Sequence, residues 1–197
     1  YAARLIERAG CSVQVFEARD RVGGRLHGEV VEGVTREYGG QWIAPYQTAI
    51  LALVEELGLS TFSRHRAGHD VFLAGGQRVI HGHDEFPLSA EAGAAFGEAV
   101  EKLARVAREI DPEAAWTHPE AEALDSISFE EWLRAEVTHP EARALLRLMV
   151  ADAYVTEPAA EFSALLCAHL FSSGTGDIDD LLDANLVLDQ RVSGGFH

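Results

Sequence analysis

The opening stretch "YAARLIERAGCSVQVFEARDRVGGR" constrains the fold more than any other part of the chain. Ala2, Leu5, Ile6 and Ala9 recur at helical spacing, and Gly10 stands where a helix stop in the left-handed region is needed. "CSVQVFE" then places Val13, Val15 and Phe16 ahead of Glu17, the pattern of a short buried strand ending in an acid. A helix running into a parallel strand with a carboxylate at its end is the second half of a nucleotide-binding β-α-β unit. The glycine fingerprint of such a unit stands ahead of the helix, about twenty residues before the acid. The chain is therefore expected to open in mid-helix, with that fingerprint lying before Tyr1.

The residues around Glu17 suit a nucleotide chemically. A carboxylate at a strand end accepts hydrogen bonds from both hydroxyls of an adenosine ribose. In "ARDRVGGR" the glycines Gly23 and Gly24 let backbone approach a ligand with no Cβ between, and Arg25 beside them offers a planar fork to pyrophosphate oxygens. Taken alone, the same loop also reads as a solvated turn in which Arg19 and Arg21 balance Asp20.

Composition narrows the partners. At 197 residues the chain can bury one substantial core or two smaller ones, and 47% hydrophobic residues are ordinary for a globular protein. A formal charge of −16 argues against nucleic acid or an anionic membrane, which would be repelled at long range. Apolar runs are too short for a membrane span and no secretory leader is visible, so a cytoplasmic chain is expected. Cys11 and Cys167 are too few and too far apart for a disulfide framework or a zinc site. His65 with His69, and His81 with His83 and Asp84, have spacings that metal ligands share, but no cysteine or paired acid joins them, and solvated loops with no metal are expected. The acid cluster "DIDDLLD", residues 177 to 183, lacks the glycine and spacing of a calcium loop and reads as the charged start of a helix.

"EARDRVGGR" followed by "EYGGQWIAP" resembles the flavin-dependent amine oxidases, the family of monoamine, polyamine and putrescine oxidases and L-amino-acid oxidases. The resemblance implies that Glu17 holds the ribose of FAD and that Arg19, Gly23, Gly24 and Arg25 line the middle of the cofactor. It implies that Gly39, Gly40, Gln41 and Trp42 run beside the ribityl chain and flavin. Glu37 stands where the family usually has Asp; its extra methylene moves the carboxylate, so Glu37 is left out of the cofactor set.

The rest of the chain extends the likeness. Ile50, Leu51, Val54 and Leu57 have helical spacing with Gly58 as stop, and Val71, Leu73 and Val79 flank Gly75 and Gly76 in a hairpin pattern. From Ser89 the chain reads as helical until Asp111 and Pro112. Ser128 and Glu131 form a capping box, with Ile127 and Trp132 as its hydrophobic staple, and two further helices start at about Pro140 and Pro158, the second ending near Ser172 and Gly174. "VTEPAAEFSALL" resembles the family's helix beneath the substrate cavity, although its apolar face reads by itself as packing core. "RVSGGFH" resembles the return to the cofactor domain, with His197 in place of the expected Gln.

The fold expected is thus α/β: a partial Rossmann-like FAD-binding domain over 1–62, a mostly helical partial substrate domain with a β-hairpin over 63–190, and the start of the return over 191–197. The resemblance covers nearly the whole chain but about the first two-fifths of a typical family member. The implied activity of the intact protein is oxidation of a small-molecule amine by hydride transfer to flavin, with dioxygen as second substrate and hydrogen peroxide as product. No catalytic residue is assigned within these residues, and the segment alone is expected to be inactive. Two alternatives stay open: a related flavin oxidoreductase of the carotenoid desaturase or protoporphyrinogen oxidase kind, and a non-catalytic helical module.

Overall fold

The computed structural model describes every residue except 75, 83–85, 175–179, 181, 182 and 197. Its helices are α1 (Ala2–Arg8), α2 (Thr48–Glu56), α3 (Ala90–Glu109), α4 (Ala121–Asp125), α5 (Phe129–Glu136), α6 (Pro140–Arg147) and α7 (Ala164–Ser172), with a helical turn at Ala184–Val187. The strands are β1 (Gly28–Val31), β2 (Val34–Glu37), β3 (Thr61–Ser63), β4 (Asp70–Ala74), β5 (Gln77–His81) and β6 (Gln190–Val192). They pair antiparallel as β1 with β2, β3 with β6, and β4 with β5. The chain falls into two compact units, one of Tyr1–Ile43, Gln47–Arg64 and Gln190–His197, the other of Ala44–Tyr46 and His65–Asp189.

In the first unit both helices stop as their glycines dictate. Gly10 at φ +79° lets its own N–H reach the Glu7 carbonyl and the Cys11 N–H reach that of Ile6, at 2.9 and 3.2 Å. Gly58 at φ +65° repeats the arrangement on Glu55 and Val54, at 2.9 and 3.0 Å. Each pair of bonds satisfies carbonyls that a helix end leaves without partners. Arg4 and Arg8 of α1 both donate to Glu56 at the end of α2. The unit's small core is Ile43, Val54 and Val192, closed by Ile50, Leu51 and Phe196; Leu57, placed by its spacing on the same face, is 49% exposed.

One expected element is corrected. Residues 11–17 form no strand and no ladder with any described segment, and Val15 and Phe16 are 73% and 84% exposed. A parallel strand exists only where neighbours take up its N–H and C=O groups and cover its faces. No described part of the chain does either, so the apolar run stays open. In its place stands a hairpin the pattern reading missed: β1 and β2 turn through Glu32 and Gly33, both at positive φ (+53° and +79°), as a type I′ turn requires.

The second unit is mostly helical. Ser89 caps α3, its hydroxyl accepting from Ala92 N–H at 3.2 Å, and Ala92, Ala99, Val100, Leu103, Ala104 and Ala107 form the buried stripe. The capping box on α5 forms as expected: Ser128 Oγ accepts from Glu131 N–H at 3.2 Å and the Glu131 carboxylate accepts from Ser128 N–H at 2.8 Å. Phe129 stacks on Trp132 and Phe162 with ring centroids 5.9 and 5.5 Å apart, and Leu133, Leu146, Val150, Cys167 and Phe171 complete the core around it. Ile127 packs against the same cluster. Strands β4 and β5 pair from Asp70↔His81 to Ala74↔Gln77, a hairpin whose Gly76 has φ +77°.

Two features of this unit differ from the sequence pattern. The helix placed from Pro158 begins only at Ala164, because the preceding carbonyls are committed elsewhere: Phe162 accepts from Phe129 N–H and Ala159 from Glu130 N–H, at 2.9 and 2.8 Å. These are the orphan donors of the first turn of α5. Beyond α6 the chain continues as a π-helix, Leu148–Val155, closed by Thr156 in the left-handed region at φ 59°. The turn residue Gly75, the histidine and acid at 83 and 84, most of the 177–183 acid cluster and His197 lie outside the described residues. No helix among those described is long and apolar enough to cross a membrane.

Candidate cofactor-binding site

The loop after Glu17 sorts its three arginines by task. Arg21 turns back on its own loop, donating to the carbonyls of Gly24 at 3.0 Å and Val22 at 3.4 Å. Arg19 and Arg25 are exposed, and neither guanidinium has a hydrogen-bond partner among the described residues. Glu17 is exposed too, one carboxylate oxygen accepting from Arg19 N–H at 2.9 Å. That bond curls the backbone under the acid and occupies Oε1, leaving capacity on the carboxylate to accept from a diol. Glu17 and Arg25 thus stand at the two ends of one solvent-facing loop that Arg21 holds from within.

The glycines of this loop are of two kinds. Gly23 has φ +98°, and a Cβ there would sit 2.5 Å from the Leu26 carbonyl oxygen, whose own N–H donates back to Gly23 at 2.9 Å. Gly24, at φ +56°, would meet nothing within 4 Å. The first shapes the turn; the second leaves the outer face open, which is the form of a backbone cradle for a ligand.

The second glycine pair docks on the first motif. Gly40 N–H donates to the Arg25 carbonyl at 3.2 Å and Tyr38 N–H to that of His27 at 2.7 Å. A Cβ on Gly39 would lie 1.9 Å from the Arg25 oxygen, closer than any real contact, while one on Gly40 would lie 3.0 Å from a Leu26 methyl group. Gly39 is therefore demanded by contact between two backbones of this chain. Gln41 and Trp42 follow, both half-buried. The Arg191 guanidinium lies over the Trp42 ring, 5.5 Å from its centroid, and 5.8 Å from that of Phe62.

All nine residues singled out from the sequence lie in the first unit, on this loop and on the segment that docks against it. Missed was the buried neighbour Glu37, with a side chain 3% exposed, which accepts from Arg191 Nη2 at 2.8 Å, Arg191 Nε at 3.3 Å and Phe196 N–H at 3.1 Å. The sequence signals were its own place two residues before Gly39 and an arginine, Arg191, three residues before a glycine pair near the other end of the chain. Tyr38, next to it, donates its hydroxyl to Glu29 across the hairpin at 2.5 Å, which with that acid's charge holds its pKa above the usual tyrosine value.

The second unit brings its own polar groups together. Tyr154, on the π-helix, is pushed up to about 12, by burial first and then by Tyr46 and Asp183. It remains a hydrogen-bond donor throughout the physiological range. Glu130 is held below the ordinary carboxylate range by Arg147, which reaches it through Nε and Nη2 at 2.8 and 3.0 Å, and by Arg134. Among the described residues no three His, Cys, Asp or Glu side chains converge as metal ligands do.

Comparison with known proteins converges on one family. The model of the flavin containing amine oxidoreductases matches residues 1–184. Putrescine oxidase of Kocuria rosea is 42% identical over 196 residues, which cover 99% of this chain and 41% of that protein. A solved structure of putrescine oxidase bound to putrescine superposes with a TM-score of 0.90 at 40% identity, over 99% of this chain and 43% of that one. Cyclohexylamine oxidase from Brevibacterium oxydans superposes with a TM-score of 0.89 at 26% identity, over 98% and 43% of the two chains. The chain thus spans about two-fifths of the length of these relatives. Its two glycine motifs, docked backbone to backbone, sit inside the matched region, and the chain belongs to the flavin-containing amine oxidoreductase family.

Proposed function

We propose that these 197 residues are part of a longer FAD-dependent amine oxidase and that their first unit holds the adenosine diphosphate side of its cofactor. Glu17 accepts hydrogen bonds from the ribose hydroxyls. Arg19 and Arg25 neutralise the pyrophosphate, and Gly23 and Gly24 admit it to backbone N–H distance. Gly39, Gly40, Gln41 and Trp42 continue the cradle toward the ribityl chain and the ring. The observation that carries this reading is the docking of Gly40 N–H on the Arg25 carbonyl, which ties the second motif to the exposed loop carrying Arg19 and Arg25, two guanidiniums with no hydrogen-bond partner among the described residues.

The donor set fits the group: an exposed carboxylate for a diol, two guanidiniums for a diphosphate, and an open glycine between them. Bound FAD supplies the acceptor for the hydride lost from the amine-bearing carbon, and dioxygen restores it with release of hydrogen peroxide. The protein's part is placement. The loop fixes one end of the cofactor, and the helical second unit contributes to the substrate domain, its core around Phe129 giving a rigid support. The substrate class is a small aliphatic amine, with diamines first because the relatives named above include putrescine oxidase. The two cysteines, Cys11 exposed and Cys167 buried, are free thiols and suit a cytoplasmic setting.

By this reading the 197 residues alone do not catalyse the reaction, since other walls of the cofactor site are supplied elsewhere. The test is to purify the full-length protein, measure its flavin content, and assay peroxide against primary amines, diamines, polyamines and amino acids. Stoichiometric FAD with peroxide from one amine class supports the proposal. Absence of flavin, or flavin with turnover of none of them, contradicts it.

A further inference from the structure

We infer that Glu37 is a positioning residue of the flavin site, a carboxylate that fastens the second glycine motif to the return segment 191–196; the inference rests on the flavin reading above. Its side chain is 3% exposed and receives three hydrogen bonds, two from Arg191 and one from Phe196 N–H. A carboxylate this buried is tolerated only when its lone pairs are met. All three donors come from a segment more than 150 residues away in sequence, with separations of 154 and 159.

The consequences run both ways along the chain. On one side Glu37 ends β2 and leads within two residues to Gly39, the glycine jammed against the Arg25 carbonyl. On the other, Phe196 N–H follows Gly194 and Gly195, at φ +87° and +84°, whose turn is closed by Gly195 N–H on the Val192 carbonyl at 3.0 Å. Between them the Arg191 guanidinium lies over Trp42 and against Phe62, so the ion pair that holds the return also seats the indole. One carboxylate therefore sets the spacing between two glycine pairs and the orientation of the aromatic residue beside the first.

The length of the side chain matters. An aspartate here would withdraw the carboxylate by one carbon–carbon bond, about 1.5 Å, and the present contacts at 2.8 to 3.3 Å leave no slack for that. The hydrogen bonds of the Glu37 carboxylate go to Arg191 and Phe196 N–H. Glu37 acts through Trp42 and the two backbones.

The test uses the full-length protein and the variants Glu37→Gln, Glu37→Asp and Arg191→Lys. It measures the FAD dissociation constant by flavin fluorescence, the visible spectrum of bound flavin, kcat and KM for the best amine at saturating FAD, and thermal melting. Removing one partner of a buried charged hydrogen-bond set is expected to weaken FAD binding about tenfold or more in Glu37→Gln and Glu37→Asp. The bound flavin spectrum should shift, and kcat should fall while KM stays within about twofold, as for a group that acts on cofactor placement and not on substrate binding. Arg191→Lys should move the same way by less, because lysine keeps the charge but loses the fork and the stacking. If Glu37→Gln does not fold, Arg191→Lys and Glu37→Asp decide. Variants that melt earlier but bind FAD with wild-type affinity and spectrum would reduce Glu37 to a structural residue and overturn the inference alone. A wild-type protein that holds no flavin overturns the flavin reading and this inference with it.

Discussion

Gly39 and Gly24 each belong to a glycine pair, and the structure asks different things of them. A Cβ on Gly39 would press on a backbone carbonyl that has nowhere to go, while one on Gly24 would point into open space at a strained φ. Gly39→Ala should therefore lower unfolding stability by about 1–3 kcal/mol, the usual range for overpacking. Gly24→Ala should cost about 1 kcal/mol from the left-handed backbone alone, yet weaken FAD binding more than Gly39→Ala does once both are corrected for folding. Urea melts and flavin titrations of the two variants check this; a Gly24→Ala variant that binds FAD no more weakly than Gly39→Ala would contradict it. At this scale the sequence singled out the loop but did not show how its arginines divide their tasks. That Arg21 braces the loop while Arg19 and Arg25 face solvent follows from local turns that spacing does not show. Glu37 was set aside on the length of its side chain, and that length is what brings it to Arg191 and Phe196.

Elements were legible where the signal was local. Gly10 and Gly58 stop their helices, and Ser128 with Glu131 caps α5, because each signal acts within five residues of itself. The strand expected at 11–17 was not realised, since a strand is a property of its neighbours, and the helix at Ala164 starts late because distant N–H groups claim the carbonyls before it. The π-helix left no periodic trace, but its closing residue can be tested. Thr156 is β-branched, exposed and at φ 59°. Thr156→Gly should raise stability by about 1 kcal/mol, the cost of holding an L-residue in that region, seen as a higher urea midpoint with an unchanged slope. Glu130 gives a second test. Its pKa is lowered chiefly by Arg147, so its contribution is present above the ordinary carboxylate value of 4.5 and is lost as pH falls through the lowered folded value. Glu130→Gln should be less stable than wild type near neutrality, and the gap should close in acid below that range; urea melts across pH would show a constant gap if the ion pair is irrelevant.

At the scale of the whole molecule the family was readable from two short motifs, and the structure explains why these two belong together. Gly39 and Gly40 close on the carbonyl of Arg25, so neither motif keeps its shape without the other. The first unit also leaves Val15, Phe16 and Val22 largely exposed, at 73%, 84% and 83%. Exposed apolar side chains beside a polar loop are the kind of surface at which proteins take up partners or ligands. The central claim is that this loop grips FAD through Glu17 at one end and Arg25 at the other. The most direct measurement is the FAD dissociation constant of the full-length protein beside those of Glu17→Ala and Arg25→Ala, each expected to bind about tenfold more weakly or worse with its fold intact, as loss of a charged hydrogen bond predicts. Folded variants that bind FAD as tightly as wild type would contradict the account.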